Sequence, residues 1–78
     1  MVFLATSPTG LRDALRISSI TGEPVWCGAN AISESEYRET NEPNLSRFNY
    51  EIKDQNAIAG ALQTIQEHHP ERVIWIEG

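Results

Sequence analysis

The chain lacks several features that mark common classes of protein. Cys27 is the one cysteine among 78 residues, so no internal disulfide can form and a reducing compartment is expected. No apolar run approaches the roughly 18 residues that a transmembrane helix needs. The apolar run Met1 to Ala5 is too short for a signal peptide, and no basic residue precedes it. These absences predict a cytoplasmic protein without a membrane span.

Basic residues are also scarce. Six Lys and Arg stand against eleven Asp and Glu, which gives a formal net charge of −5. Nucleic acids and anionic membranes are bound largely through the attraction of basic groups to phosphate, so both are disfavoured as partners. An acidic surface instead suits a basic protein partner or simple solubility.

Motifs for nucleotides and metals are missing too. The turn Thr6–Gly10 precedes a predicted helix whose free amides could hold a phosphate, but it has neither the glycines and lysine of a P-loop nor a G-x-G-x-x-G fingerprint. His68 and His69 are adjacent, so on a helix they diverge by about 100° and do not readily share one metal ion. We therefore predict no cofactor and no metal site.

Catalysis has a similarly weak basis. Cys27 is a nucleophile in principle, with His68 or His69 as its base, but no motif supports the pairing. A lone cysteine in a strand is usually a small buried hydrophobe. The prediction is that the protein is not an enzyme.

The most regular stretch is the last one. Asp54 is a suitable N-cap, and Pro70 disfavours helical geometry at His69, so a helix is predicted to end near His68. The strand Arg72–Ile76 follows, and its apolar run does not alternate, which predicts that both of its faces are covered. Apolar residues of the helix recur at intervals of three and four: Ala57, Ile58, Ala61, Leu62 and Ile65.

The preceding residues divide into comparable elements. A first strand is predicted at Val2–Ala5, then a helix that ends by Thr21–Pro24. Its cap is Ser7, with Pro8 at the first helical position, or alternatively Thr9. The second strand is Val25–Ala29. A capping box of Ser33 and Glu36 predicts a helical turn or two over 34–39, and an alternating third strand runs from Leu45 or Arg47 to Ile52.

This order of elements predicts one small domain, residues 1–78, of α+β class. The favoured topology is a ferredoxin-like βαββαβ split with an acidic connector between the second and third strands, because the third strand alternates. The alternative is a small parallel α/β sheet with helices on both faces, in which the connector supplies a third helix.

The favoured topology leads to a functional prediction. Helices on one face of the sheet would leave an apolar face open, with Trp26 and Trp75 as candidate contacts, and a protein partner or a homodimer would cover it. The acidic connector is a second candidate contact. Its members are Glu34, Glu36, Glu39 and Glu42.

The sequence thus predicts a small acidic, non-enzymatic protein that acts by protein–protein association, as a regulator, inhibitor or immunity-type factor. The alternative is a small-molecule-binding or catalytic domain that uses the Thr6–Gly10 turn or Cys27. A third hypothesis is RNA binding on the sheet, where Phe48 and Tyr50 would stack on bases, although the acidic charge weakens it.

Overall fold

The protein, described over residues 1–78 by a computed structural model, is a parallel sheet flanked by helices. None of the helices is both long and apolar enough to span a bilayer. Four strands and three helices follow one another along the chain as β1 (Val2–Ala5), α1 (Pro8–Thr21), β2 (Val25–Cys27), α2 (Glu34–Glu39), β3 (Leu45–Arg47), α3 (Gln55–His68) and β4 (Ile74–Glu77).

The strand order is β3-β2-β1-β4, and all neighbouring strands are parallel. The predicted ferredoxin-like antiparallel arrangement is therefore wrong, and the parallel α/β alternative describes the chain. Parallel strands need a crossover connection, and the acidic connector supplies the crossover between β2 and β3 because it contains α2. Tyr37 of this helix anchors it to the sheet by donating from its hydroxyl to the carbonyl oxygen of Leu45 at 3.2 Å.

The helices cover both faces of the sheet. Side chains of β1 alternate, with Phe3 and Ala5 directed towards α1 and α2, and Val2 and Leu4 directed towards α3. Both sets are almost entirely buried. The expectation of one open apolar face is wrong as well. The crossovers from β1 to β2 and from β2 to β3 run in one direction across the sheet, and the crossover from β3 to β4 runs in the other. Right-handed crossovers in opposite directions place their helices on opposite faces.

The predicted helix caps are confirmed. Ser7 accepts from the N–H of Gly10 with Pro8 in the first turn of α1, and Asp54 accepts from Ala57 at the start of α3. Ser33 and Glu36 form the complete capping box of α2. These side chains accept hydrogen bonds from amides of the first helical turn that would otherwise lack partners. The residues at each helix start therefore fix the position at which the helix begins.

The third strand is shorter than predicted. β3 stops at Arg47, and the chain then leaves the sheet while the N–H of Phe48 still donates to the carbonyl oxygen of Cys27 at 2.8 Å. Phe48 and Ile52 are nevertheless buried, because residues 48–52 lie as irregular chain beneath α3. The alternating pattern therefore correctly indicated the burial of Phe48 and Ile52 but not an extended strand, and Tyr50 between them is 42% exposed.

The closing strand also differs from the prediction. β4 forms at Ile74–Glu77, but it lies at an edge of the sheet beside β1 and is not covered on both faces. Trp75 is 52% exposed and Val73, just before the strand, is 67% exposed. The largest exposed apolar side chains of the sheet are thus gathered at this one edge.

Candidate functional site

The outer edge of β4 carries unpaired backbone groups. Its inner edge pairs with β1: the N–H of Val2 donates to the carbonyl oxygen of Val73 at 2.8 Å, and the N–H of Thr6 donates to that of Glu77 at 2.9 Å. Backbone groups alternate in direction along a parallel strand, so Ile74 and Ile76 direct their N–H and C=O away from β1. Beyond them there is no further strand.

Apolar side chains surround this free edge. On the face that carries α1, Trp75 stands beside Phe3 of β1 and borders a groove of about 260 Å³. On the opposite face Ile76 is 46% exposed. We call the free edge with its exposed apolar side chains the β4 surface, which comprises Met1, Ile17, Val73, Trp75 and Ile76.

The polar groups next to the β4 surface are paired within the chain. The indole Nε1 of Trp75 donates to Oε1 of Glu77 at 2.6 Å, which holds the ring along the strand. Glu23 accepts from the N-terminal ammonium of Met1 at 3.2 Å and from Arg72 at 3.1 Å. The hydrogen bond from the ammonium group, with a smaller contribution from Arg72, lowers the pKa of Glu23 from its ordinary value. Charges at this end of the surface therefore compensate one another.

The β4 surface has little of the usual protection of a sheet edge apart from the shortness of the strand, which has four residues. Natural edge strands are kept from pairing with other chains by lysine, proline, bulges or a covering loop. Glu77 is the only charged residue of β4, residues 73–76 contain no charge and no proline, and the strand pairs with β1 in continuous register. Exposed apolar patches that adjoin a free edge are typical of interaction sites.

The structure separates the two tryptophans that the sequence nominated. Trp26 is aligned with Leu4 and lies on the α3 face, whereas Trp75 is aligned with Phe3 and lies on the α1 face. Trp26 is half-buried, with its ring centroid 5.2 Å from that of Phe48 and in contact with the closing turn of α3. Its role in protein binding stays a prediction, while Trp75 lies at the centre of the β4 surface.

The aromatic residues proposed for RNA do not form an open platform. Phe48 is 8% exposed and belongs to the core beneath α3, between Trp26 and Tyr50. Tyr50 is 42% exposed but lies on irregular chain outside the sheet. Base stacking requires accessible ring faces on the open side of a sheet. The arrangement of these residues therefore gives no support to RNA binding.

The acidic connector forms a separate surface at the other edge of the sheet. Glu34 pairs with Arg38 across one helical turn, and Glu36 is engaged by the capping box at Ser33. Glu39 and Glu42 are exposed. Since α2 leads into β3 and β4 lies at the opposite edge, the acidic residues and Trp75 do not share one site.

The sheet also separates Cys27 from the two histidines. The Cys27 side chain is fully buried in the core beneath α1, whereas the rings of His68 and His69 contact Trp26 on the opposite face. Burial raises the pKa of the thiol to about 11, although Arg47 partly opposes this. The suggested nucleophile and base are therefore not brought together.

This burial predicts an unreactive thiol. A folded-state pKa of about 11 leaves on the order of 0.1% thiolate at pH 8, and the thiolate is the reactive species. We expect negligible labelling by a water-soluble disulfide reagent in native buffer and complete labelling in denaturant. Because the pKa is raised by folding, the thiol also makes stability fall as the pH rises towards 11. Rapid native labelling at pH 8 would contradict the buried position.

The Thr6–Gly10 turn is occupied by internal contacts. Thr6 donates from both its N–H and its Oγ1 to the carbonyl oxygen of Glu77, and Ser7 Oγ accepts the N–H of Gly10. In open parallel sheets ligands bind beyond the carboxyl ends of the strands at the point where the strand order reverses, which here lies between β1 and β4. That position is closed by contact of the turn with the end of β4.

A second groove, of about 520 Å³, lies between α1 and the loop after β2. Two of its polar side chains are engaged within the chain: Asn30 donates to the carbonyl oxygen of Thr6 at 2.8 Å and accepts from Ile52 at 3.1 Å, and Glu36 accepts from Ser33. Arg12 is the one charged side chain of the lining that is not paired within the chain. Small-molecule sites combine an apolar lining with several polar groups directed at the ligand. This groove has the volume of such a site but not the convergent polar groups.

Comparison of the chain with protein-family models gives no match, and searches of curated proteins and of solved structures give no significant match either. The geometry of the chain itself is therefore the basis of the functional argument.

Proposed function

We propose that the protein acts without catalysis, by associating with another polypeptide chain through the β4 surface, as a regulator, inhibitor or immunity-type factor. The observation that supports this proposal is the exposed position of β4. An apolar run without alternation is typical of a strand covered on both faces, yet this strand is an edge on which Trp75 and Ile76, on opposite faces, are each about half exposed. A partner chain on this edge would bury the apolar side chains that the residue pattern predicts to be covered.

The size of the β4 surface supports the same conclusion. Its five members are each between 41% and 67% exposed, which amounts to roughly several hundred Å², and a partner of matching size brings the total to about 1,000 Å². That total reaches the lower range of specific interfaces. Trp75 lies at its centre, and tryptophan is among the residues that contribute most to binding when they are desolvated by a partner.

Site-directed photo-crosslinking tests the proposal in cells. A photoreactive amino acid at Val73, which is 67% exposed, should form covalent adducts with a second polypeptide. The matched control is the same amino acid at Glu39, exposed on α2 at the other edge of the sheet. The additional substitution Trp75→Ala should lower the yield at Val73 by about tenfold, as expected for a central aromatic contact.

Two outcomes would overturn the proposal. One is the absence of polypeptide adducts at Val73. The other is a yield at Val73 that equals the yield at Glu39 and does not respond to Trp75→Ala, which would indicate random collisions.

A further inference from the structure

We infer that the chain covering the β4 surface is a second copy of this protein, with the two β4 strands paired antiparallel in one continuous eight-stranded sheet. The inference rests on the proposed function, because it assigns the partner of the same surface. It depends on three properties of the β4 edge: the direction of its backbone groups, the distribution of its side chains and the position of the acidic residues.

The backbone of β4 is complementary to itself. When two antiparallel strands are related by a two-fold axis perpendicular to the sheet, each residue lies opposite a residue whose side chain is on the same face. One residue at the axis therefore lies opposite its own counterpart, and the register is named by that central residue. With Trp75 at the centre, Ile74 of each copy opposes Ile76 of the other, and these are the residues whose N–H and C=O point outward. Each such pair exchanges two hydrogen bonds, so the four free groups of each strand are satisfied.

Other symmetric registers are poorer. A register centred on Ile74 or on Ile76 forms only one such hydrogen-bonded pair within a strand as short as Ile74–Glu77. The centre at Trp75 therefore satisfies the largest number of backbone groups. Unpaired edge groups that a partner buries are costly, which gives this register its preference.

Side chains agree with the same register. The two Trp75 rings oppose one another at a non-hydrogen-bonded position, where side chains of antiparallel strands approach most closely. Cross-strand aromatic pairs of this kind are favourable beyond the area that they bury. On the other face Ile74 of each copy meets Ile76 of its partner, so both exposed faces of the edge gain apolar neighbours.

The charge distribution favours a second copy over a basic partner. Each copy carries a net charge of −5, but the acidic helix α2 lies beyond β2 towards β3, at the edge far from β4. In the eight-stranded sheet the two β3 strands are seven strand spacings apart, or about 33 Å. Repulsion between the acidic helices is largely screened over several Debye lengths. A basic partner would instead be attracted to α2.

The mass of the purified chain in solution tests the inference. Sedimentation equilibrium should give twice the 8.7 kDa of one chain, and Trp75→Lys should weaken the association by about tenfold or more. The matched control is Ile20→Lys, at a side chain that is 83% exposed on α1 but outside the β4 surface, and it should leave the mass unchanged.

Disulfide trapping tests the register. Val73 of one copy opposes Glu77 of the other at a non-hydrogen-bonded position, where the Cα separation suits a disulfide. A mixture of Val73→Cys and Glu77→Cys chains should therefore form mixed disulfides under mild oxidation, and Val73→Cys chains alone should not. Native Cys27 is buried and serves as the internal control for unwanted oxidation.

The outcomes separate the inference from the proposed function. A monomeric mass at millimolar concentration, or a dimer that Trp75→Lys leaves unchanged, would overturn the inference. If the purified chain is monomeric while crosslinks at Val73 reach a different protein, the proposed function stands and only the identity of the partner is wrong.

Discussion

Replacement of Gly10 by alanine should lower the free energy of unfolding by about 2–3 kcal/mol. A Cβ at this position would overlap the carbonyl oxygen of Glu77 and lie 2.9 Å from its carbonyl carbon. Both atoms belong to the backbone of β4, which Thr6 holds in place with two hydrogen bonds. The strain therefore cannot be relieved by a side-chain rotation, and either α1 or β4 must move.

Gly60→Ala is the matched control for this substitution. Gly60 is also helical, but an added Cβ would meet only the hydroxyl of Tyr50 at 4.0 Å. The change should raise the free energy of unfolding by about 1 kcal/mol through helix propensity alone. Urea denaturation monitored by tryptophan fluorescence measures both values. Equal effects of the two substitutions would show that β4 does not pack against the first turn of α1.

The substitution Ile65→Ala should cost about 3–4 kcal/mol. Ile65 is fully buried in the core between α3 and the sheet, where it belongs to the same cluster as Val2 and Leu4 of the central strand. Removing three methyl or methylene groups loses their transfer free energy and leaves a cavity that the sheet cannot close. For a domain of 78 residues this corresponds to a fall in Tm of about 15 °C or more.

Ile20→Ala provides the comparison, since the side chain of Ile20 is 83% exposed. Its effect should stay within about 0.5 kcal/mol, as for most surface substitutions. Differential scanning calorimetry at one protein concentration measures both variants. A small effect at Ile65 would mean that α3 does not cover this face of the sheet, and the two-sided fold would then be wrong.

The helix boundaries could be predicted from the sequence because their determinants are local. Ser7, Ser33 and Asp54 each lie within three residues of the amide that they satisfy, so the chain encodes each start in one turn. The end of α3 near His68 follows in the same way from Pro70.

The pairing of the strands could not be predicted in this way. Whether β2 lies parallel or antiparallel to β3 depends on the path of the connector, and a six-residue helix with no buried residue leaves only a weak apolar pattern. The alternation at Phe48, Tyr50 and Ile52 then suggested a strand where the chain is irregular. The pattern correctly indicated the burial of Phe48 and Ile52, but Tyr50 is 42% exposed because the chain between them is not a strand.

The β4 surface was missed for a related reason. The pattern Val73-Ile74-Trp75-Ile76 correctly indicates a strand whose two faces require cover, but it does not say whether this chain or another supplies the cover. Only the strand order shows that β4 is an edge. Of the residues nominated for binding, Trp75 joins this surface, Trp26 does not, and the glutamates of the connector lie at the opposite edge.

The pairing of β1 with β4 also bears on how the protein forms during synthesis. The contact of Thr6 with Glu77 spans 71 residues, and β1 is the central strand that both cores require. The nascent chain can pair β1 with β2 early, but the other side of β1 stays exposed until β4 has left the ribosome. The entropic cost of closing a loop of this length arises before the contact contributes any stability. This order favours slow, late completion of the sheet. During that interval the backbone groups of β1 that later pair with β4 have no partner strand.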